Sequence, residues 1–331
     1  MARVKCVGLK RKCGSEQCCI VYHENYNISA FGIEKLHPFD SFKWKRVIDF
    51  LKEWNLIKDS SIISPDEPNT DVFLKVHSPQ YLKSLRNPYK AASIVEVFFV
   101  VFIPPCVIES RLLKPMRLQV GGTIEASYLA LTHQWAINVG GGFHHASAES
   151  GGGFCFYADI TIALKMLFDD KLIEHAIIVD VDAHQGNGHE TDFAEDDRVY
   201  IFDMFNPSVY PHDDEAKRNI DMPIYVDRHT TDESYLSLLR KKLSKSLELK
   251  KFDIMIYNAG TDCLDGDPIG GLCLSPQCII SRDETVFELA KSRNIPIVML
   301  TSGGYQKNNA YIIARSIENL NLKNFIELKC E

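Results

Sequence analysis

Hydrophobic and polar positions follow two alternating patterns along this chain of 331 residues. The first is a short, continuously apolar run rich in β-branched residues, which is typical of a strand buried on both faces of a sheet. Such runs predict strands at residues 136–139, 176–181, 199–202, 254–257 and 295–300. The stretches between them carry apolar residues at three- and four-residue steps, the period of an amphipathic helix. This alternation predicts an α/β fold in which a mainly parallel central sheet lies between two layers of helices.

The helical period is strongest in two stretches, residues 42–56 and 235–247. Ser281 followed by Glu284 has the spacing of a capping box, which predicts that a helix begins there. Helices are also predicted to begin at Gly121–Thr123 and at Ala158–Asp159. No linker rich in Pro, Gly or Ser divides the chain, so we expect a single domain.

The most apolar run of the chain covers residues 97–108. A membrane-spanning helix takes about 20 apolar residues, and Pro104 and Pro105 interrupt this shorter run. Length therefore favours a buried strand over a membrane span. We predict such a strand here and no transmembrane segment.

Composition and charge disfavour several classes of protein. Apolar content is 45% and charged content 24%, which is ordinary for a globular domain. The net charge of −7 disfavours direct binding to nucleic acid, because domains that bind phosphate backbones are usually basic. No long apolar segment follows the basic residues near the N-terminus, so we expect a nuclear or cytoplasmic protein and not a secreted one. Lys10–Lys12 resembles a nuclear signal, but three basic residues fit a solvated tail equally well.

The chain has ten cysteines, and four of them crowd the N-terminus at Cys6, Cys13, Cys18 and Cys19. They do not form paired Cys-x-x-Cys motifs, and no histidine lies among them. A loose, oxidisable segment is therefore favoured over a structural zinc site. Without a signal peptide, we expect reduced thiols.

Two polar strings follow predicted strands and carry the candidate chemistry. Gly140–His145 contains three glycines and two histidines, and Asp180–His184 has the pattern Asp-x-Asp-x-His. Ligands of an open parallel sheet bind beyond the carboxyl ends of its strands, which is where both strings lie. In extended backbone, alternate side chains point to one side, so Asp182 and His184 reach a single ion together.

A third metal ligand must come from another strand. Asp262 is the best candidate, because it follows the predicted strand at 254–257. Two carboxylates and one imidazole leave a coordination position for water, as catalytic zinc requires. Asp-x-His alone is a weak signal, and Asp262 alone would more often be a turn residue. Their joint position after strands of one sheet is what favours a metal site.

Three further side chains suit catalysis beside a metal. His144 and His145 are adjacent and would chelate one ion poorly, but they suit proton transfer next to a metal held by other groups. Tyr305 ends the string Ser302–Tyr305, which follows the last predicted strand. A phenol at that edge of the sheet would donate a hydrogen bond to a developing oxyanion. The alternative is a turn tyrosine without a role.

Five strings, in this order, resemble zinc-dependent histone deacetylases. They are Gly140–His145, Gly151–Cys155, Asp180–Gly188, Asn258–Asp262 and Ser302–Tyr305. The class IV branch is the most similar, through Leu36–Asp40 and Asp182–His189. The resemblance extends from Ile20 to Leu320 and implies the arginase–deacetylase fold. It divides the chain into an N-terminal tail at 1–19, a catalytic domain at 20–322 and a C-terminal tail at 323–331.

The resemblance implies a role for each matching residue. The implied metal ligands are Asp182, His184 and Asp262. The implied catalytic residues are the general base His145, its electrostatic partner His144, and the carbonyl-polarising Tyr305. The implied supporting residues are Asp180, which holds His144, and Asn187, beside His145. The substrate tunnel would be lined by Phe143, Gly153, Phe154, Tyr210, Gly303 and Gly304.

Two positions depart from patterns elsewhere in the superfamily. Asn187 stands where other deacetylase classes usually carry Asp, and an amide stabilises an imidazolium less than a carboxylate does. His145 is therefore expected to be neutral near pH 7. Gly186 stands where the manganese hydrolases of the superfamily carry a further Asp, so a two-metal site is disfavoured.

Zn²⁺ is the cofactor that the resemblance implies, although oxygen and nitrogen ligands also suit Fe²⁺. The resemblance further implies a structural K⁺, held by backbone carbonyls at Asp180, Asp182, His184 and Asp203.

The sequence thus predicts a zinc-dependent hydrolase of acyl-lysine amides in proteins or peptides. The acyl group would be acetyl or a longer fatty acyl chain. Two alternatives stay open. One is deacetylation of small amines such as acetylpolyamines by the same chemistry. The other is a catalytically silent scaffold in a corepressor complex. The intact set of candidate ligands and proton-transfer groups argues against this alternative.

Overall fold

Seven strands form one parallel sheet in the computed structural model, which describes residues 18–28 and 40–328. In chain order they are β1 (Ile20–Val21), β2 (Trp135–Asn138), β3 (Ala176–Asp180), β4 (Val199–Phe205), β5 (Met222–Tyr225), β6 (Ile254–Asn258) and β7 (Ile297–Leu300). Their order across the sheet is β1-β2-β7-β6-β3-β4-β5, and every neighbouring pair is parallel. The prediction of a parallel sheet covered by helices is confirmed.

Helices connect the strands and cover the sheet in a three-layer arrangement. Within the described residues they are α1 (Lys43–Glu53), α2 (Thr70–Phe73), α3 (Pro79–Ser84), α4 (Pro88–Val95), α5 (Pro105–Ile108), α6 (Lys114–His133), α7 (Asp159–Asp169), α8 (Asn187–Asp192), α9 (Asp232–Ser246), α10 (Pro276–Lys291) and α11 (Asn309–Leu322). Helix α6 packs against β2, β7 and α7, while α1, α11, α10 and α9 pack successively against one another. Both sides of the central strands are therefore buried, as their continuously apolar sequences require.

Two predicted helix starts are wrong. Helix α10 begins at Pro276, and its cap is Ser275, whose hydroxyl accepts a hydrogen bond from the Cys278 amide at 3.1 Å. A Ser-Pro pair supplies both a cap and a preset backbone angle, so Ser281 lies inside the helix. Gly121 and its neighbours lie inside α6, and the glycine is needed there because a Cβ would come within 2.2 Å of the Asp66 carbonyl oxygen. The start at Asp159 agrees with the prediction.

The predicted strand at 97–108 is also wrong. Residues Phe98–Phe102 form a 3-10 helix, Pro105–Ile108 form α5, and Glu109–Leu113 form a π-helical turn that leads into α6. Side chains three residues apart share one face of a 3-10 helix, so only one face of this apolar segment is buried. A continuous apolar run does not by itself distinguish this arrangement from a strand.

The carboxyl ends of β2, β7, β6 and β3 are level with one another, and β4 continues two residues beyond their row. Cα pairing runs in a single row from Asn138 through Leu300, Asn258 and Asp180 to Asp203. The strings Gly140–His145, Asp180–His184, Asn258–Asp262 and Ser302–Tyr305 leave the sheet at this row or just beyond it. The register therefore brings those strings to one edge of the sheet.

At the N-terminal end, Cys18 and Cys19 are buried in the core, unlike the loose segment expected there. The described cysteines are all free thiols. Cys6, Cys13, Lys10–Lys12 and most of the Leu36–Asp40 string lie outside the described residues. Within the part of the chain that the structure covers, no helix is long and apolar enough to cross a bilayer.

Candidate active site

The three predicted metal ligands converge beyond β3 and β6. One ligand atom each from Asp182, His184 and Asp262 lies within 4.8 Å of the other two. His184 Nδ1 lies 3.1 Å from Asp182 Oδ1 and 2.9 Å from Asp262 Oδ2. All three side chains are buried, so the imidazole and both carboxylates face one another away from bulk water.

This cluster fits a divalent transition metal. Two carboxylate oxygens and one imidazole nitrogen are ligands that suit Zn²⁺ and Fe²⁺. The surrounding backbone has no space for a larger side chain at the site, since a Cβ at Gly303 would lie 2.4 Å from Asp182 Oδ2 and 2.6 Å from Asp262 Oδ2. Burial opposes ionisation of Asp262, and the nearby Asp182 charge acts in the same direction, so its pKa is raised to about 7. A cation would relieve that repulsion.

Behind the cluster, Asp180 fixes the orientation of His144. His144 Nδ1 and His189 Nε2 lie 2.9 and 3.0 Å from the same oxygen, Asp180 Oδ2. The amide of Asn258 donates to both carboxylate oxygens of Asp180 at 3.0 and 3.1 Å. Burial alone would raise the pKa of Asp180, but the charges and hydrogen bonds of His144 and His189 lower it to about 2. A carboxylate held this way keeps the Nδ1 proton on His144.

Asn187 fixes the tautomer of His145. His145 Nδ1 lies 2.9 Å from Asn187 Oδ1, and the amide nitrogen of Asn187 faces Asp213 Oδ2 at 3.3 Å. The contact with Asp213 assigns the amide orientation, so Asn187 presents an acceptor to His145. Nδ1 of His145 therefore carries the proton, and Nε2 is left free to accept another.

The pKa values of the two adjacent imidazoles, His144 and His145, are shifted in opposite directions. Their ring centroids are 4.1 Å apart. Burial opposes protonation of His144, yet Asp180 and Asp182 outweigh it and raise the pKa of His144 to about 9. Burial lowers the pKa of His145 well below its usual value, and the charges of His144 and His184 lower it further. The expected neutrality of His145 thus agrees with the structure, although its main causes are burial and these neighbours; the Asn187 contact acts the other way.

Tyr305 lies beside the cluster, near His184. Its ring centroid is 6.4 Å from that of His184 and 5.9 Å from that of Phe154. The Tyr305 amide donates to Asp267 Oδ2 at 2.9 Å, which anchors the backbone of this loop. Burial raises the pKa of the phenol well above its usual value, and Asp262 and Asp182 add to the effect. Tyr305 therefore keeps its phenolic proton at neutral pH.

A predominantly apolar cavity opens onto these groups. It encloses about 1070 Å³ of empty space, including open solvent at its mouth. His144, His145, Asp182 and Tyr305 line its polar part. The predicted tunnel residues Phe143, Gly153, Phe154 and Gly303 also line it.

Two predicted tunnel residues lie beside the cavity and not among the residues that line it. Tyr210 packs edge-on against His145, with ring centroids 4.8 Å apart. Gly304 lies against Thr261, since a Cβ there would come within 2.1 Å of the Thr261 hydroxyl. A Cβ at Gly153, whose φ is +48°, would lie 2.3 Å from His145 Cδ2, so the glycine permits this close approach.

Three charged residues that hold the site loops in place were not predicted from the sequence. Lys43 Nζ donates to the carbonyl oxygens of Ser302 and Gly303 at 2.6 and 2.9 Å. Asp159 accepts hydrogen bonds from the amides of Gly142 and Phe143, both at 2.8 Å. The third residue, Arg282, donates to the Gly260 carbonyl at 2.6 Å.

Each of these three residues is completely buried in its helix or at the helix start. In the sequence, Lys43 is followed by Lys45 and Arg46, and Arg282 by Asp283 and Glu284. Nothing in these patterns separates a buried charge from a solvated one, because a long charged side chain also reaches water from a helix.

A second buried group, Asp180, His189 and Asp203, also has ligand atoms within 4.8 Å of one another. It shares Asp180 and Asp203 with the K⁺ site implied by the resemblance, which depends on backbone carbonyls and stays a prediction. Burial and the charges of Asp180 and Glu190 raise the pKa of Asp203 well above its usual value.

The site indicates the class of protein. Three convergent side chains that could hold a metal, paired imidazoles and a phenol at the end of an apolar cavity are what a metal-dependent hydrolase needs. Comparison with known proteins gives the family. A model of the histone deacetylase domain matches residues 37–320. The chain is 50% identical to histone deacetylase 2 of Arabidopsis thaliana over 312 residues, which are 94% of this chain and 81% of that protein. The chain therefore belongs to the histone deacetylase family.

More distant relatives agree with this assignment. Identity to histone deacetylase 1 of Homo sapiens is 27% over 306 residues, covering 88% of this chain and 62% of that protein. The crystal structure of the HDA15 HD domain superposes with a TM-score of 0.74 at 16% identity, covering 94% of this chain and 90% of that one. At this identity the superposition shows the shared fold alone.

Proposed function

We propose that this protein is a zinc-dependent deacylase that hydrolyses acyl-lysine amides of proteins or peptides. The observation that carries the proposal is the pairing of His145, held with a free Nε2, with the Asp182, His184 and Asp262 cluster at the end of one apolar cavity. The relatives named histone deacetylase support lysine as the amine. Fe²⁺ would fit the same three ligands.

In this proposal Asp182, His184 and Asp262 hold the ion. When bound, it supplies a Lewis acid for the amide carbonyl and lowers the pKa of water. His145 accepts a proton from the attacking water through Nε2 and then donates one to the departing lysine amine. His144, protonated beside Asp180, contributes positive charge next to the reacting carbonyl. Tyr305 donates its phenolic proton as a hydrogen bond to the carbonyl oxygen as negative charge develops there.

We further propose that the enzyme accepts long fatty acyl chains and belongs to the class IV branch. The aliphatic side chains of Val95, Val100, Ile108 and Met116 line the same cavity as the histidines. The free energy with which such a surface binds an acyl chain grows with the apolar area that binding removes from water. The class IV strings noted in the sequence are the second support for this assignment.

The test is a profile of turnover against acyl-chain length with purified protein, using acetyl-, octanoyl- and myristoyl-lysine peptides. We expect kcat/KM to rise with chain length, and Tyr305→Phe to lower it for every peptide because the carbonyl loses its donor. A flat or falling profile would refute the preference for long chains. No metal-dependent turnover of any acyl-lysine peptide would refute the hydrolase itself and favour the scaffold; its binding to a corepressor complex and its nuclear or cytoplasmic location stay predictions.

A further inference from the structure

Three phenylalanines form an exposed aromatic patch beside the cavity. Phe98, Phe99 and Phe102 are 70%, 56% and 71% exposed. The ring of Phe98 contacts the other two, with centroid distances of 6.2 and 5.9 Å. Single exposed apolar side chains are ordinary on protein surfaces, whereas a contiguous group of phenyl rings marks a surface that binds something apolar.

The aromatic patch is the outer face of the short 3-10 helix whose inner face forms a wall of the cavity. Val97, Val100 and Ile103, spaced three residues apart, line the cavity. Three-residue spacing places side chains on one face of a 3-10 helix, so the phenylalanines between them point the other way. One apolar segment therefore connects the outer surface with the interior of the cavity.

The chain segment that contains the aromatic patch is basic, unlike the protein as a whole, although Lys75 within it pairs with Asp169. Residues 74–114 contain six basic and two acidic residues, in a chain of net charge −7. One of the acidic residues, Glu109, pairs with two arginines. Lys90 lies on α4, which packs against the 3-10 helix, and Arg111 lines the cavity beside Val97. Neither Lys90 nor Arg111 has a carboxylate partner among the described residues.

We propose that the aromatic patch docks this protein on the surface of an anionic lipid bilayer. The phenyl rings would enter the boundary between headgroups and acyl chains, and the surrounding lysines and arginines would attract the anionic lipid.

The size of the surface favours a lipid over a protein partner. The three rings expose on the order of 400 Å², whereas a stable protein interface takes about 800 Å² from each partner. Docking does not depend on the acyl-chain preference proposed above, so the two ideas fail separately.

The experiment is flotation of the purified full chain with vesicles, without substrate. One set of vesicles contains phosphatidylcholine alone and the other contains added phosphatidylserine. The test variant carries Phe98→Ser, Phe99→Ser and Phe102→Ser. The control variant carries Leu172→Ser, Tyr225→Ser and Leu249→Ser, which remove three large apolar side chains that are 48%, 54% and 59% exposed elsewhere.

We expect the unmodified chain and the control variant to float with phosphatidylserine vesicles and the test variant to bind them about tenfold more weakly. Lys83→Gln combined with Lys90→Gln should weaken binding to anionic vesicles, and added salt should act in the same direction. Hydrogen exchange of the unmodified chain should slow at residues 97–103 when phosphatidylserine vesicles are added, which tests the contact even if the triple variant fails to fold.

Failure of the unmodified chain to bind anionic vesicles would overturn the proposal, as would a folded test variant that binds as well as the control. A third contrary result is a dimer, detected by light scattering, that the test variant abolishes while vesicle binding is absent. That result would assign the aromatic patch to a second copy of this chain.

Discussion

The two walls of the cavity are held in place by different interactions. At the sheet edge the side chains are polar, buried and hydrogen-bonded. Asp180, for example, contacts three other side chains, those of His144, His189 and Asn258. The other wall, drawn from residues 95–113, presents mainly aliphatic side chains on short helical turns, together with Arg111. A buried polar network permits few arrangements, whereas an apolar wall tolerates substitutions of similar volume. In the proposed function, the sheet edge carries the chemistry and the apolar wall selects the acyl group.

Removing a metal ligand at the sheet edge should have the largest effect. Asp262→Ala leaves two of the three ligands, so we expect bound zinc to be lost and kcat/KM to fall about 10³-fold or more. Metal content and turnover of an acyl-lysine peptide measure both effects. Asp265→Ala, an exposed carboxylate three residues further on, is the control and should change neither. Full activity in Asp262→Ala would contradict the ligand assignment.

Lys43→Met should give the next largest effect, because it removes the donor to the Ser302 and Gly303 carbonyls while keeping an apolar side chain of similar length. Buried acceptors without partners cost about 1–3 kcal/mol, which urea unfolding measures as a lower free energy of unfolding. We also expect lower kcat, since the loop carries Tyr305. Lys45→Met breaks only a surface ion pair on the same helix and should change stability by less than about 0.5 kcal/mol. Equal effects of the two substitutions would argue against a special role for Lys43.

A substitution on the apolar wall should lower activity toward long acyl chains and leave activity toward acetyl groups nearly unchanged. Val100→Phe fills part of the cavity, so we expect kcat/KM for myristoyl-lysine peptides to fall about tenfold and that for acetyl-lysine peptides to stay nearly constant. Leu249→Phe, on an exposed position, controls for the added ring. A parallel loss for both peptides would show that the wall also positions the catalytic groups, which would break the comparison.

The smallest effect on the maximal rate is expected at Asn187. His145 must be unprotonated to act as a base, so activity falls as pH drops through its pKa, which lies well below 6.5. A carboxylate in Asn187→Asp favours the imidazolium and should move the acid limb of the kcat/KM profile upward by about one pH unit. Asn324→Asp adds the same charge on an exposed position and should leave the limb in place. An unmoved limb in Asn187→Asp would show that Asn187 does not set the pKa of His145.

The same two regions show what the sequence allowed us to predict. The sheet and the convergence of Asp182, His184 and Asp262 followed from apolar strands that end in polar strings, because parallel strands bring those ends to one edge. The apolar wall was misassigned, because an apolar run at 97–108 fits a strand and a one-sided 3-10 helix equally well. Lys43 and Arg282 went unnoticed, since their partners are backbone carbonyls that leave no mark in the sequence.

The most direct test is anomalous X-ray scattering at the zinc absorption edge from crystals of the protein grown with zinc. We predict one strong peak within bonding distance of Asp182, His184 and Asp262. A peak confined to the Asp180, His189 and Asp203 group, or no peak at either cluster, would refute the proposed metal site.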